Sequence, residues 1–423
     1  MASNGFNVSS SDTNSLSIVI DSSNAPYIAY QDGGNENRLT VSKFNGVNWS
    51  AVGEPGFSPG VATFISMAID ENDILYVAFV DGANYGKATV MKYTGLEWVF
   101  VGNAGFSADS VSFTSIAIDS DNLPYVAYAG DGYYYKATVM RFNGTNWVYV
   151  GSPGFSANTA IFTSIALDSL NTPYVVYEDT AYNYRATVMK YNGSNWVNVG
   201  NPGFSAGGVN YISIAINSTD TPYVFYQDAG NGYKATVMRF DGTGWVPVGN
   251  LGFSAGEVLF TTIAFDNNDV PYVAFQDDEN RVRTTVMKFN GTDWVAVGIQ
   301  GFSPSGASDV TIALDNNNNP YIAYHDVYTN VIVMKFTGTN WETVGAPLGS
   351  QQASVRELIL RILADQARIT RCFRIFICET LEAISENNCI SPEKKMKLAL
   401  ELLHASAEKE SSLAAVIESA SKL

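Results

Sequence analysis

The stretch FTSIAIDSDNLPYVAYAGDGYYYKATVMRFNGTNWVYVGSPGFSA, residues Phe113 to Ala157, holds four short extended runs separated by turn residues. In SIAID, Ser115, Ala117 and Asp119 share one face and Ile116 and Ile118 the other, the period-two alternation of a strand buried more on one side. PYVAY, from Pro124 to Tyr128, opens on a proline, which a strand tolerates at its first residue. KATVMRF (Lys136 to Phe142) and NWVYVG (Asn146 to Gly151) complete the set. Between them Asn143-Gly144 supplies the positive-φ residues that a tight hairpin turn favours, and Asn45-Gly46, Asn192-Gly193, Asp241-Gly242 and Asn290-Gly291 recur at the same place.

The unit repeats. Trp49, Trp98, Trp147, Trp196, Trp245, Trp294 and Trp341 are 49 residues apart five times and 47 once. Four strands in a unit of that length predict an all-β seven-bladed β-propeller over residues 1–348, with four-stranded blades around a central channel. The repeat runs from GFN (Gly5 to Asn7) to WETVG (Trp341 to Gly345), so each blade is expected to use four consecutive strands. The ring then closes by packing of the last blade on the first, with no strand exchanged.

Units of the form PYVAY, KATVMK, NGTNWV and PGFSA resemble the highly repetitive propellers of bacterial secreted and cell-surface proteins, over residues 5 to about 346. The resemblance implies a repeat-built binding or display module and brings no catalytic residue with it.

The 423 residues carry 24 basic and 41 acidic side chains, a net charge of −17. Nucleic acid and anionic membranes demand a basic face, so neither is expected as a partner. Residues 1–348 hold 14 Lys/Arg and 31 Asp/Glu while 349–423 hold 10 of each, so the charge belongs to the first module. Every Trp and Tyr lies in that module, and Cys372, Cys378 and Cys389 all lie in the second. Their spacing matches no zinc pattern and reads as small apolar positions on helices. The start MASNGFNVSS has no basic stretch followed by an apolar run, and no 18 apolar residues occur in succession. A soluble chain is expected, with an earlier-removed signal peptide left open.

Residues 349–423 change period. Val355, Leu358, Ile359, Ile362, Ile369, Phe373, Phe376 and Ile377 follow three-and-four spacing, and Ser391-Pro392-Glu393 reads as a helix start. An α-helical hairpin is expected, with helices at about 352–386 and 392–420. Two helices do not cover an apolar stripe this wide. The hairpin should therefore self-associate, dock on a partner helix or pack on the propeller; a homodimeric four-helix bundle through Leu358, Ile362, Phe373, Phe376, Leu403, Leu413 and Ile417 is favoured. MAS at the start, Gly349-Ser350 and the final KL look like cloning-site residues, so a fusion made in the laboratory is expected at least as much as a natural two-module protein. The same reading sets aside the match of Ser421-Lys422-Leu423 to a peroxisomal address.

Three constellations suggest chemistry. GFSPG at Gly56 to Gly60 and GFSAG at Gly203 to Gly207 and Gly252 to Gly256 fit G-x-S-x-G, the elbow of a serine nucleophile. The motif breaks at Gly105, Gly154 and Gly301, and the only histidines are His325 and His404, so a turn between blades is expected instead, with Phe57, Phe106, Phe155, Phe204, Phe253 and Phe302 plugging the gap. DSDN at Asp119, with relatives at Asp266 and Asp315, invites a calcium loop. It lacks the turn glycine and terminal glutamate, so Asx-turns are expected.

The third is an acid after the second strand (Asp32, Asp81, Asp131, Asp179, Asp228, Asp277, Asp326) facing a base that opens the third (Arg38, Lys87, Lys136, Arg185, Lys234, Arg283), with Asn330 in blade seven. An exposed cross-strand ion pair is the plain expectation. The functional alternative is a sugar-binding rim with Tyr133, Tyr134, Tyr182, Tyr184 and Tyr233 as stacking surfaces beside Asp179 and Asp228.

The expectation is thus a non-enzymatic binding or display propeller joined to a helical oligomerisation or adaptor module, with a lectin-like carbohydrate-binding propeller as the alternative. A saccharide or peptide is the expected partner of the ring. No catalytic residue, metal or cofactor is expected. A glycosidase ranks last, because none of the many acids stands out from the sevenfold background. The departures from symmetry are Gly130, His325, Asn330 and the shorter blade seven.

Overall fold

In the computed structural model, which describes residues 16–348 apart from Asp131 and Tyr133, each repeat folds as one four-stranded antiparallel sheet. Blade two is representative: Ala62–Ile69, Leu75–Asp81, Lys87–Tyr93 and Trp98–Phe100. The strands of every sheet lie in sequence order, and the first strands touch one another around the whole circle, the seventh blade's meeting the first's. Seven four-stranded blades therefore surround a channel, and no strand crosses the seam. The expected helical hairpin, its interface residues, the three cysteines and the GFN start of the repeat lie outside the described residues.

The core sits between blades. Tyr27, Leu39 and Val41 of blade one pack with Ile65, Val77, Phe79, Met91 and Trp98 of blade two, and the pattern repeats around the ring. The tryptophan explains its own spacing. Trp98 stacks on Phe57 with centroids 4.3 Å apart and planes 1° from parallel, while its Nε1 donates to the Val52 carbonyl at 2.6 Å. Such an aromatic pair adds about 0.5–1.5 kcal/mol beyond its burial. At the seam Trp49 Nε1 donates to Val344 O at 2.7 Å, so the same indole bond fastens the last blade to the first.

Alternating connections give the ring two different rims. The turn rim carries the loops joining first to second and third to fourth strands. The loop rim carries those joining second to third strands, together with the crossovers to the next blade. In the turns between third and fourth strands only the glycine is left-handed, as with Gly144 at φ +93°, while Asn143 Oδ1 accepts from the Thr145 and Asn146 amides. The paired positive φ expected of Asn-Gly is replaced by an Asx-turn.

The inner strands run longer than the five residues of SIAID and are bulged. In blade two the register slips between Thr63 and Ser66, and the extra residue, Phe64, is left-handed at φ +49°. Phe113, Phe162, Tyr211, Phe260 and Asp309 repeat this in blades three to seven.

Candidate functional site

The serines of the G-x-S-x-G stretches are construction. Ser58, Ser205 and Ser254 are buried; each Oγ donates to the carbonyl two residues on and accepts the second amide of its blade's third strand, as in Leu39 N to Ser58 Oγ at 2.9 Å. With both capacities used, the hydroxyl ties the crossover to the blade. Gly203 is needed for space and conformation, since a Cβ there would lie 2.6 Å from Tyr182 Cβ and φ is +62°.

On the turn rim, Asp119, Asp266 and Asp315 each accept two amides of their own loop, as the Asx-turn expectation has it. Among the described residues no three His, Cys, Asp or Glu side chains are placed to share a metal ion.

The expected cross-strand ion pairs are corrected by the loop rim. Asp32, Asp179 and Asp228 do stand opposite Arg38, Arg185 and Lys234 in register. Their carboxylates, however, turn inward. Asp179 accepts from the Ala181 amide and Thr187 Oγ1; Asp228, fully buried, accepts from the Gly230 amide, Asn231 Nδ2 and Thr236 Oγ1 at 2.7–3.0 Å. Burial pushes the Asp179 carboxyl up, and the Thr187 and Ala181 bonds pull it back. Arg38 pairs with Glu36 at 2.9 Å instead. In blade three it is Gly130, not Asp131, that stands opposite Lys136.

Above these capped turns the tyrosines face outward. Tyr134 is 86% exposed, and Tyr182, Tyr184 and Tyr233 are also exposed. Tyr133 lies outside the described residues. Tyr85 and Tyr135, which the sequence reading did not single out, join the group, so exposed tyrosines run across blades two to five. Tyr85, Tyr134, Tyr135, Tyr184 and Tyr233 all have φ between +55° and +62°. The signal for the two missed residues was their place two residues (Tyr85) and one residue (Tyr135) before the base that opens the third strand.

Beneath this rim the bulged aromatics form a collar around the channel. Phe64, Phe113, Phe162, Tyr211 and Phe260 contact one another in series, with centroids 5.0–5.1 Å apart and planes turning by 38–64° per step. Rings standing upright in a sevenfold wheel turn by roughly 51° per blade. In blade seven Asp309 takes the collar position, and its Oδ2 lies 3.1 Å from His325 Nδ1. The positions matching His325 hold Gln31, Glu178, Gln227 and Gln276 in other blades. Gln31 Nε2 donates to Ala62 O of the next blade at 2.9 Å, whereas Glu178 Oε2 is buried without a partner and burial pushes its carboxyl up to about 8.

No protein-family model and no curated protein matches the chain. Solved structures do. The BP39L lectin from Burkholderia pseudomallei matches with a TM-score of 0.58 and 15% identity, over 80% of this chain and 99% of that one. An ulvan lyase, a polysaccharide lyase, matches with a TM-score of 0.50 and 12% identity, over 79% of this chain and 94% of that one. The likeness is one of fold.

Proposed function

We propose that the ring is a lectin-like carbohydrate-binding propeller whose sites lie on the loop rim of blades two to five. The observation that carries this reading is the set of exposed tyrosines in left-handed backbone. That conformation costs a side chain about 1–2 kcal/mol, which a glycine or an asparagine would largely avoid. The turn imposes the conformation, since Asn37 and Val282 share it and the next blade's inner strand donates an amide to Asn37 O, Tyr135 O, Tyr184 O, Tyr233 O and Val282 O alike; what the turn does not call for is an exposed aromatic ring in that conformation on four successive blades. A tyrosine ring offers an apolar face to the C–H face of a sugar and a hydroxyl to its edge. Asp179 and Asp228 act as positioning residues that hold the turn beneath, and Tyr182 packs against the crossover at Gly203. The lectin among the structural neighbours agrees with this class of ligand. Repetition on adjacent blades suits multivalent glycans, where linked weak sites gain avidity.

The full-length chain should retain glycans on an array, and calorimetry should give more than one equivalent per chain. Replacing Tyr134, Tyr184 and Tyr233 together with alanine should weaken retention at least tenfold. An array with no retained glycan ends this reading.

A further inference from the structure

We infer that the central channel holds one further ligand site, at the gap that blade seven leaves in the aromatic collar, sized and lined for a single neutral monosaccharide residue. The channel encloses a cavity of about 230 Å³ to which the inner strands of all seven blades contribute. Its wall is unequal around the circle. Five successive blades place an aromatic ring at the left-handed bulge, whereas blade seven places Asp309 there, at φ +51°. Asp309 is the one carboxylate among the described residues lining the cavity.

Hydrogen-bonding capacity is left over on the same side. The wall threonines Thr114 and Thr163 of blades three and four donate to Phe64 O and Phe113 O, and Ser66 and Ser115 of blades two and three accept the Ile116 and Ile165 amides. In blades five and six the matching Ser213 Oγ and Thr261 Oγ1 are buried without a partner, although both residues line the cavity. Thr261 is only 8% exposed. Leaving a buried hydroxyl unpaired is costly, so a wall that holds two of them, in blades five and six, together with the carboxylate of blade seven is one that a polar guest would complete.

The cavity thus carries apolar rings in blades two to six and, in their place in blade seven, a carboxylate. A pyranose has the same division, with C–H groups on its face and hydroxyls around its edge. Asp309 accepts from two neighbouring hydroxyls, His325 steadies that carboxylate, and Ser213 and Thr261 donate or accept as required. The carboxylate disfavours acidic sugars, and a cavity of about 230 Å³ is on the scale of a single sugar residue. This site is independent of the rim tyrosines: it occurs once per ring and uses none of them.

The test uses the full-length chain and the methyl glycosides of glucose, galactose, mannose, fucose and N-acetylglucosamine, with calorimetry and saturation-transfer NMR. D309F restores the ring that five other blades carry and fills the gap. It should remove one equivalent per chain, or weaken that binding at least tenfold, while the triple rim variant keeps it. H325Q, which installs the residue of three other blades, should weaken it several-fold. Unchanged stoichiometry and affinity in D309F, or no saturation transfer to any of the five glycosides in the wild type, overturns the proposal. Loss of all binding in the rim variant alone also overturns it while leaving the rim reading intact. Should D309F fail to fold, D309N decides by the same criteria.

Discussion

The two rims of this ring use the same backbone conformation for opposite ends. On the turn rim each blade has one left-handed residue other than glycine, Asn24, Asp73, Asn122, Asn171, Asp220, Asp269 or Asn318. These are the side chains that tolerate that conformation, and six of the seven accept an amide of a neighbouring blade, as Asn171 accepts Ser120 N at 3.0 Å. On the loop rim the left-handed positions of blades two to five carry tyrosines that reach into solvent. Where residue type and backbone agree, the side chain is fastening the ring. Where they conflict, local consistency has been given up, which is what the proposed glycan site on that rim would call for.

The largest expected effect lies in the buried layer under the loop rim. Glu178 holds its proton up to about 8 when folded, against 4.5 as the ordinary value, because burial disfavours its charge. Between those values the folded ring keeps a proton that the unfolded chain has released, so stability falls as pH rises through that window and is undiminished below it. The full span corresponds to on the order of 3–5 kcal/mol. Glu178→Gln, the residue of Gln31 and Gln276, should therefore match the wild type near pH 5 and exceed it by about that much at pH 9 in urea unfolding. Equal midpoints at pH 9 would show that Glu178 is solvated.

Next comes the turn that carries the tyrosines. Asp228→Ala removes the acceptor of three donors in a fully buried position, and a buried donor left unpaired costs about 1–3 kcal/mol. We expect a loss of about 2–4 kcal/mol with no ionic-strength dependence, because Lys234 is not its partner. A salt-sensitive loss in thermal melts at two salt concentrations would restore the cross-strand ion pair.

These expectations divide what could be read in the chain from what could not. Blade number, strand order and the placing of the phenylalanines between blades follow from side chains recurring in place, and recurrence survives any uncertainty about a single residue; that each phenylalanine stacks on a tryptophan came from the structure. The tryptophan ruler was enough. The collar was hidden because Phe64 and its counterparts occupy a φ that sequence reasoning reserves for glycine and asparagine. Asp179 and Asp228 were legible as neighbours of the tyrosines but not as caps, since an acid facing a base reads as an ion pair until side-chain direction is known. Asp309 and His325 meet only because a bulge shifts the register between Ser308 and Thr311, a step without a signature in the residues around it.

The smallest effect is the most direct comparison of the rims, one substitution made on each in the same backbone. Tyr134→Gly and Asn171→Gly both place glycine in a left-handed position, at φ +55° and +61°. Each gains relief of the left-handed strain, about 1–2 kcal/mol for tyrosine and less for asparagine, and each pays about 0.5–1 kcal/mol in unfolded-state entropy. Tyr134 gives up almost no packing, being 86% exposed, whereas Asn171 gives up its bonds to Ser120 N and Ser120 Oγ. Tyr134→Gly should therefore stabilise the ring by about 0.5–1 kcal/mol while weakening glycan retention, and Asn171→Gly should destabilise it by a similar amount without touching retention. Denaturant midpoints and array binding measured on both variants read the four signs together. If Tyr134→Gly destabilises, the tyrosine is held by contacts within the ring, and its conformation no longer argues for a ligand.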